Sequence, residues 1–133
     1  MNIRPFFLGG LALEALIVED NSLFRQVMRD ILNSRFPFIE VIEARNGAEA
    51  LEEFAARQPS VVFMDIKLPG DLDGLELTRR MRKEDPNVTV IVVTNHDSVE
   101  YETAALNSGA DFFLSKSSSL GDEITAILPK QDQ

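Results

Sequence analysis

The chain has 133 residues, 44% of them hydrophobic and 26% charged, which is enough for one buried core and too little for two ordinary domains. The absence of cysteine excludes a disulfide framework and thiolate metal centres, and it suits a reducing compartment such as the cytoplasm. A net charge of −9 excludes a broad nucleic-acid-binding face within this chain and leaves basic protein partners open.

Residues 1–13 carry Arg4 ahead of Phe6, Phe7, Leu8, Gly9, Gly10, Leu11, Ala12 and Leu13, a faint signal-peptide pattern. No small-residue cleavage site follows, and the apolar run flows into the first core strand, so an irregular leader is expected instead. No stretch approaches the roughly 18 uncharged apolar residues that a membrane span needs. The first strand is predicted over 15–18 and the first helix over 22–36, with Phe24, Val27, Met28 and Ile31 on one face. A second strand over 39–44 leads to Asn46, a helix cap for 47–57, whose Leu51, Phe54 and Ala55 point inward. The third strand, 61–64, is four apolar residues running straight into Asp65, the pattern of a strand buried on both faces. Helix 74–84 has Leu77 and Met81 one turn apart and ends at Asp85-Pro86-Asn87. Strand 88–93 precedes helix 99–107, capped by Ser98 and closed by Gly109 in a left-handed position. Strand 110–114 and a short helix from a Ser119 cap to about Leu128 complete the pattern, and 129–133 is a tail. Five strands alternating strictly with five helices predict an α/β fold, a doubly wound parallel sheet. Right-handed crossovers favour the order 2-1-3-4-5, which reverses between strands 1 and 3.

The residues that leave the strands at their carboxyl ends carry the chemistry. Strand 1 exits into Glu19-Asp20, strand 3 into Asp65, strand 4 into Thr94 and strand 5 into Ser115-Lys116. In a parallel sheet these ends are neighbours, at the edge where open α/β sheets bind ligands. Three carboxylates against one lysine leave about −2, and at an effective dielectric near 20 each like-charged pair at ~4 Å repels by about 4 kcal/mol. A divalent cation would cancel that charge; all-oxygen donors favour Mg2+, with Mn2+ as a substitute, over zinc. Asp65 can then attack phosphorus, with cation, ammonium and hydroxyl taking the charge of the phosphoryl oxygens. Each residue also has a plainer reading: Asp65 as a turn cap, Glu19-Asp20 as helix caps, Thr94 as a β-former and Lys116 as a solvated charge. All of them falling at strand ends of one sheet tells for a site.

Leu16-Ile17-Val18-Glu19-Asp20-Asn21, Val62-Phe63-Met64-Asp65-Ile66-Lys67-Leu68-Pro69, Asp73-Gly74-Leu75-Glu76-Leu77, Val92-Val93-Thr94 and Gly109-Ala110-Asp111-Phe112-Phe113-Leu114-Ser115-Lys116 resemble the receiver domain of two-component response regulators. The resemblance covers 14–128 and implies a flavodoxin-like fold of chemotaxis-receiver type. It implies that Asp65 accepts a phosphoryl group from a phosphohistidine on a sensor kinase or histidine phosphotransfer protein. Asp20 would ligate Mg2+ directly, Glu19 directly or through water, and Lys67 through its backbone carbonyl beside Asp65. Lys116 would pair with the phosphoryl oxygens and Thr94 would hydrogen-bond one of them. Phe113, three residues before Lys116, matches the switch aromatic, although a plain core role stands beside that one. The output surface would be helix 4, strand 5 and helix 5, around Glu100, Tyr101 and Leu120, serving a homodimer or an effector domain.

Several positions depart from the family pattern. Asn95 follows Thr94 where a small residue is usual, which narrows access to the pocket. His96, the only histidine, lies beside the pocket and reads best as an exposed loop residue, lacking a second nitrogen ligand. The loop 69–74 is one residue longer than usual, and its Asp71-Leu72-Asp73-Gly74 is no calcium loop, since Pro69 and Arg80 occupy the acidic positions. Ser117 replaces the usual proline after Lys116, so a cis peptide is not expected there. Two other readings stay open: a pseudo-receiver that binds partners without phosphate, and a phosphohydrolase. The second lacks a general acid two residues after Asp65, where Lys67 stands, so no turnover enzyme is expected.

Overall fold

Five segments rich in β-branched and aromatic residues pair into one sheet in the computed structural model, which describes residues 7–8 and 11–128. They are β1 (Glu14–Val18), β2 (Glu40–Ala44), β3 (Val61–Met64), β4 (Thr89–Thr94) and β5 (Phe112–Ser115). The helices are α1 (Ser22–Arg35), α2 (Gly47–Arg57), α3 (Gly74–Glu84), α4 (Val99–Asn107) and α5 (Leu120–Ile127). Every pairing is parallel and the order is β2-β1-β3-β4-β5, the predicted 2-1-3-4-5.

Alternate side chains of each strand point to opposite faces, so the central strands build two cores. Leu16, Val18, Val62, Met64, Val90 and Val92 meet Phe54, Leu77, Met81 and Ala105 of α2, α3 and α4. Ala15, Ile17, Val61, Phe63, Ile91 and Val93 meet Met28, Leu32, Leu120 and Ile124 of α1 and α5. Both faces are covered, and that is why these strands read as unbroken apolar runs.

The differences from expectation have local causes. On α1 the buried stripe is Met28 and Leu32 with Phe24 and Ile31 partly covered; Val27 lies on the flank, 45% exposed. On α2 the stripe is Gly47, Ala50 and Phe54, and Ala55 falls one step outside it and is exposed. Strand β5 begins at Phe112 instead of 110, because the turn after α4 uses the preceding residues: the Ala110 amide donates to the Ala105 carbonyl. Strand β4 starts one residue late because the Val88 amide closes a turn on the Asp85 carbonyl. Asn46 and Ser98 cap α2 and α4 as expected, accepting from the amides of Glu49 and Tyr101. Ser119 occupies the capping position of α5 without a side-chain cap bond; Ser118 instead donates to the Glu123 carboxylate, reaching into the first turn. Within the leader, Phe7–Leu8 pairs antiparallel with Leu11–Ala12, an element the sequence patterns did not suggest. The rest of the expected leader, 1–6 and 9–10, and the tail, 129–133, lie outside the described residues. Among the described residues no helix is long and apolar enough to cross a membrane.

Candidate functional site

The ladder register brings the strand ends level, and three backbone hydrogen bonds extend it one residue further. Val18 of β1 stands opposite Met64 of β3, and Thr94 of β4 opposite Ser115 of β5. Just beyond, the Glu19 amide donates to the Ala44 carbonyl, Asp65 to Val18 and Lys116 to Thr94. Glu19, Asp65 and Lys116 are therefore held by the sheet itself, although they follow it in sequence. Glu19 and Asp65 are buried, 3% and 7% exposed, and Asp20 stands open to solvent beside them.

Lys116 joins the two buried carboxylates. Its Nζ lies 2.8 Å from Glu19 Oε1 and 3.0 Å from Asp65 Oδ2. The remaining oxygens are partnered by backbone: the Asn21 amide donates to Glu19 Oε2 at 3.0 Å, and the Ile66 amide to Asp65 Oδ1 at 2.7 Å. Burial pushes the Glu19 carboxyl above its ordinary range and the nearby Asp65 charge adds to that, against the pull of Lys116 and the Asn21 amide. Burial alone would weaken the Lys116 ammonium, but its hydrogen bonds to Glu19 and Asp65 outweigh it and hold the proton more firmly than usual. Both values move up, but for Glu19 burial disfavours the charged form, whereas for Lys116 two anionic partners favour it.

The other expected residues surround this bridge. Thr94 is fully buried, and its hydroxyl oxygen accepts from the His96 amide at 3.1 Å. Phe113 is half-buried against the core on the α2–α4 side of the sheet. Asn95 and His96 are exposed, and the His96 ring sits 5.5 Å from that of Tyr101, tilted by 53°. The Lys67 side chain reaches out from the loop after β3 to Tyr101 on α4, its Nζ 5.3 Å from the ring centre. The neighbouring Tyr101 phenol holds the Lys67 ammonium above its ordinary value.

Residues that sequence reasoning passed over complete the site. Gly74 packs its α-carbon against the backbone of Asp65, where a Cβ would lie 2.0 Å from the Asp65 carbonyl oxygen. Asn21 caps α1 by accepting from the Phe24 amide at 2.9 Å, and the Phe24 ring lies 4.5 Å from Lys116 Nζ. The available signal was position: a residue in the first turn of the helix that follows β1 overhangs the carboxyl edge, so an apolar side chain there has two possible duties.

The donor set fits a hard divalent cation. Glu19, Asp20 and Asp65 each offer a carboxylate oxygen, all within 4.8 Å of one another, with Asp20 open to solvent. Oxygen donors with room for retained water suit Mg2+ or Mn2+, and there is no thiolate or second nitrogen donor to favour zinc.

Comparison with known proteins agrees in kind. Residues 15–128 match the family model described as the response regulator receiver domain. The chain is 35% identical over 127 residues to a protein-glutamate methylesterase/protein-glutamine glutaminase of Aliivibrio fischeri, covering 91% of this chain and 33% of that protein. It is 32% identical over 115 residues to the response regulator GacA of Pseudomonas syringae, covering 86% of this chain and 53% of the relative. The chain thus spans about a third to a half of these curated relatives. Among solved structures, a CheY-like receiver domain protein from Methanospirillum hungatei superposes with a TM-score of 0.77 at 31% identity, covering 86% of this chain and 90% of the other. A LuxR-family two-component response regulator from Aurantimonas gives 0.77 at 30% identity, covering 86% and 81%.

Proposed function

The chain belongs to the response regulator receiver-domain family, and on that premise we propose that it works as a phosphorylation-activated switch in which Asp65 takes a phosphoryl group from a phosphohistidine. The donor is a sensor histidine kinase or a histidine phosphotransfer protein. The working unit is 14–128, flanked by a leader and a tail, in the cytoplasm, with no nucleic acid or membrane bound by this unit. Receiver domains interact with kinases and effector domains and are in general signalling modules, not turnover enzymes. The observation that best supports the reading is the Lys116 ammonium lying between Glu19 and Asp65 at the carboxyl edge of the sheet.

The chemistry follows from the chain's own groups. Glu19, Asp20 and Asp65 would hold Mg2+ through carboxylate oxygens and Lys67 through its backbone carbonyl. When bound, the cation supplies positive charge that offsets the carboxylates and the phosphoryl oxygens. An Asp65 oxygen forms the new O–P bond as the P–N bond of the phosphohistidine breaks, its electron pair returning to the imidazole. Lys116 moves its hydrogen bond from Asp65 to a phosphoryl oxygen and keeps charge balanced in a buried place. Thr94 exchanges the His96 amide for another phosphoryl oxygen, and Phe113 turns into the space that the threonine leaves. That remodels the surface of α4, β5 and α5, where a second copy or an attached effector binds with state-dependent affinity.

Asp65→Asn should abolish labelling by acetyl phosphate while leaving the melting temperature close to that of the wild type. Persistent labelling of the variant would place the acceptor elsewhere. One observation favours the pseudo-receiver as a second reading: Lys116 already neutralises much of the buried charge, so the pocket is stable by itself. A Mg2+ titration separates the two, because a cation at ten times its dissociation constant adds about 1.4 kcal/mol of stability. Melting that ignores millimolar Mg2+ would support the pseudo-receiver.

A further inference from the structure

The Phe24 ring meets the one face of the Lys116 ammonium that the carboxylates leave free. An ammonium has three N–H donors. One faces Glu19 Oε1 at 2.8 Å and one faces Asp65 Oδ2 at 3.0 Å. The ring centre of Phe24 lies 4.5 Å from the same nitrogen, inside the range in which an aromatic face attracts a cation. The ring does not sit there by loose packing. Glu19 accepts from the Asn21 amide, Asn21 accepts from the Phe24 amide, and Phe24 covers Lys116, which returns to Glu19. These contacts close a loop that joins the end of β1, the first turn of α1 and the residue after β5.

Phe24, Met28, Phe63, Glu19 and Asp65 also line a small pocket of about 10 Å³. That is about the least volume that holds one water, which needs two or more polar partners to stay. Truncating Phe24 would enlarge this pocket and uncover the side of Lys116 that the ring now faces.

We propose that Phe24 is a positioning residue: by seating Lys116 against Glu19 and Asp65 and keeping water from its third face, it holds the ammonium ready for the phosphoryl oxygens. The proposal rests on Asp65 as phosphoacceptor.

The test compares Phe24→Leu, which keeps most of the apolar volume and loses the π face, with Phe24→Trp, which restores an aromatic face. In saturating Mg2+, acetyl phosphate should label Phe24→Leu about fivefold more slowly than the wild type. Phe24→Trp should come within twofold of the wild type. Wild-type rates in Phe24→Leu, or a Trp variant no faster than Leu, would overturn the proposal. A second readout needs no phosphorylation: ring current from Phe24 should shift the Lys116 ε-methylene protons upfield, and Phe24→Leu should return them to ordinary values. Lys116 resonances identical in both proteins would also overturn it. A wild type that takes no label at all would instead refute Asp65 as acceptor, and the Lys116 resonances would then decide the positioning alone.

Discussion

Replacing Gly74 by alanine tests how Asp65, the proposed phosphoacceptor, is braced. Gly74 is buried at the start of α3, its amide donating to the Ile66 carbonyl at 2.8 Å and its carbonyl accepting from the Thr78 hydroxyl at 2.7 Å. A Cβ there would sit 2.0 Å from the Asp65 carbonyl oxygen and 2.9 Å from both the Asp65 carbonyl carbon and Ile66 Cα. Against the 3.4 Å at which ordinary contact begins, the shortfall at the oxygen is about 1.4 Å, and every atom it meets is backbone. Nothing flexible can swing away, so either α3 or the end of β3 must shift. Overpacking of this kind costs about 1–3 kcal/mol, and the better helix propensity of alanine returns at most about 1 kcal/mol. A net loss of about 2 kcal/mol should lower the melting temperature by roughly 6–10 °C in a domain of this size. Because the displaced atoms are those of Asp65, acetyl phosphate labelling should also slow well below the melting range. Gly121→Ala is the control: the atoms nearest its Cβ belong to the Arg35 guanidinium, the movable end of a long side chain, and it should cost under about 1 kcal/mol. Circular dichroism melts of both variants, run beside the labelling assay, decide the matter. A Gly74→Ala protein that melts within 1 °C of the wild type would refute the claim that this glycine holds Asp65 in place.

Lys116→Met removes the ammonium that occupies Glu19 and Asp65, so Mg2+ no longer competes with it; calorimetry should show affinity raised at least about tenfold, consistent with about 4 kcal/mol per close charge pair at an effective dielectric near 20. Equal affinity would mean that Lys116 and the cation do not share these carboxylates. The Arg45 guanidinium, and after it the Arg45 amide, hold the Glu49 carboxyl at about 2 against an ordinary 4.5. Its folded value is depressed, so its contribution to stability is present above about pH 4.5 and disappears as the pH falls toward 2. Carbon NMR should show the Glu49 midpoint rising in Arg45→Ala; an unmoved midpoint would contradict this. Arg82 donates to the carbonyls of Gly109, Pro86 and Val88 and to Asp111, tying α3 to the starts of β4 and β5. Arg82→Ala should lose about 3 kcal/mol in urea titrations and Arg82→Lys should recover less than half, because only the guanidinium fork reaches several acceptors at once.

Much of the fold was legible because strands and helices announce themselves locally. The run Val61–Met64 ending in Asp65, and the helix caps Asn46 and Ser98, are short-range patterns whose meaning does not depend on distant residues. Where the reading slipped, at Val27, Ala55 and the start of β5, the deciding factor was which side of an element met a neighbour. Periodicity marks a face, but not where its edge falls once another helix or a turn is packed beside it.

The sequence by itself determined which chemical groups stand at the ends of the strands, since a parallel sheet must gather its carboxyl ends along one edge. Only the tertiary structure decided how those groups pair. Lys116 could have faced solvent, yet it bridges Glu19 and Asp65 under the ring of Phe24, and Gly74 is required because Asp65 folds back against it. Such contacts join positions far apart in the chain, and their geometry follows from strand register and close packing. Neither of these is written in the spacing of residues along one segment.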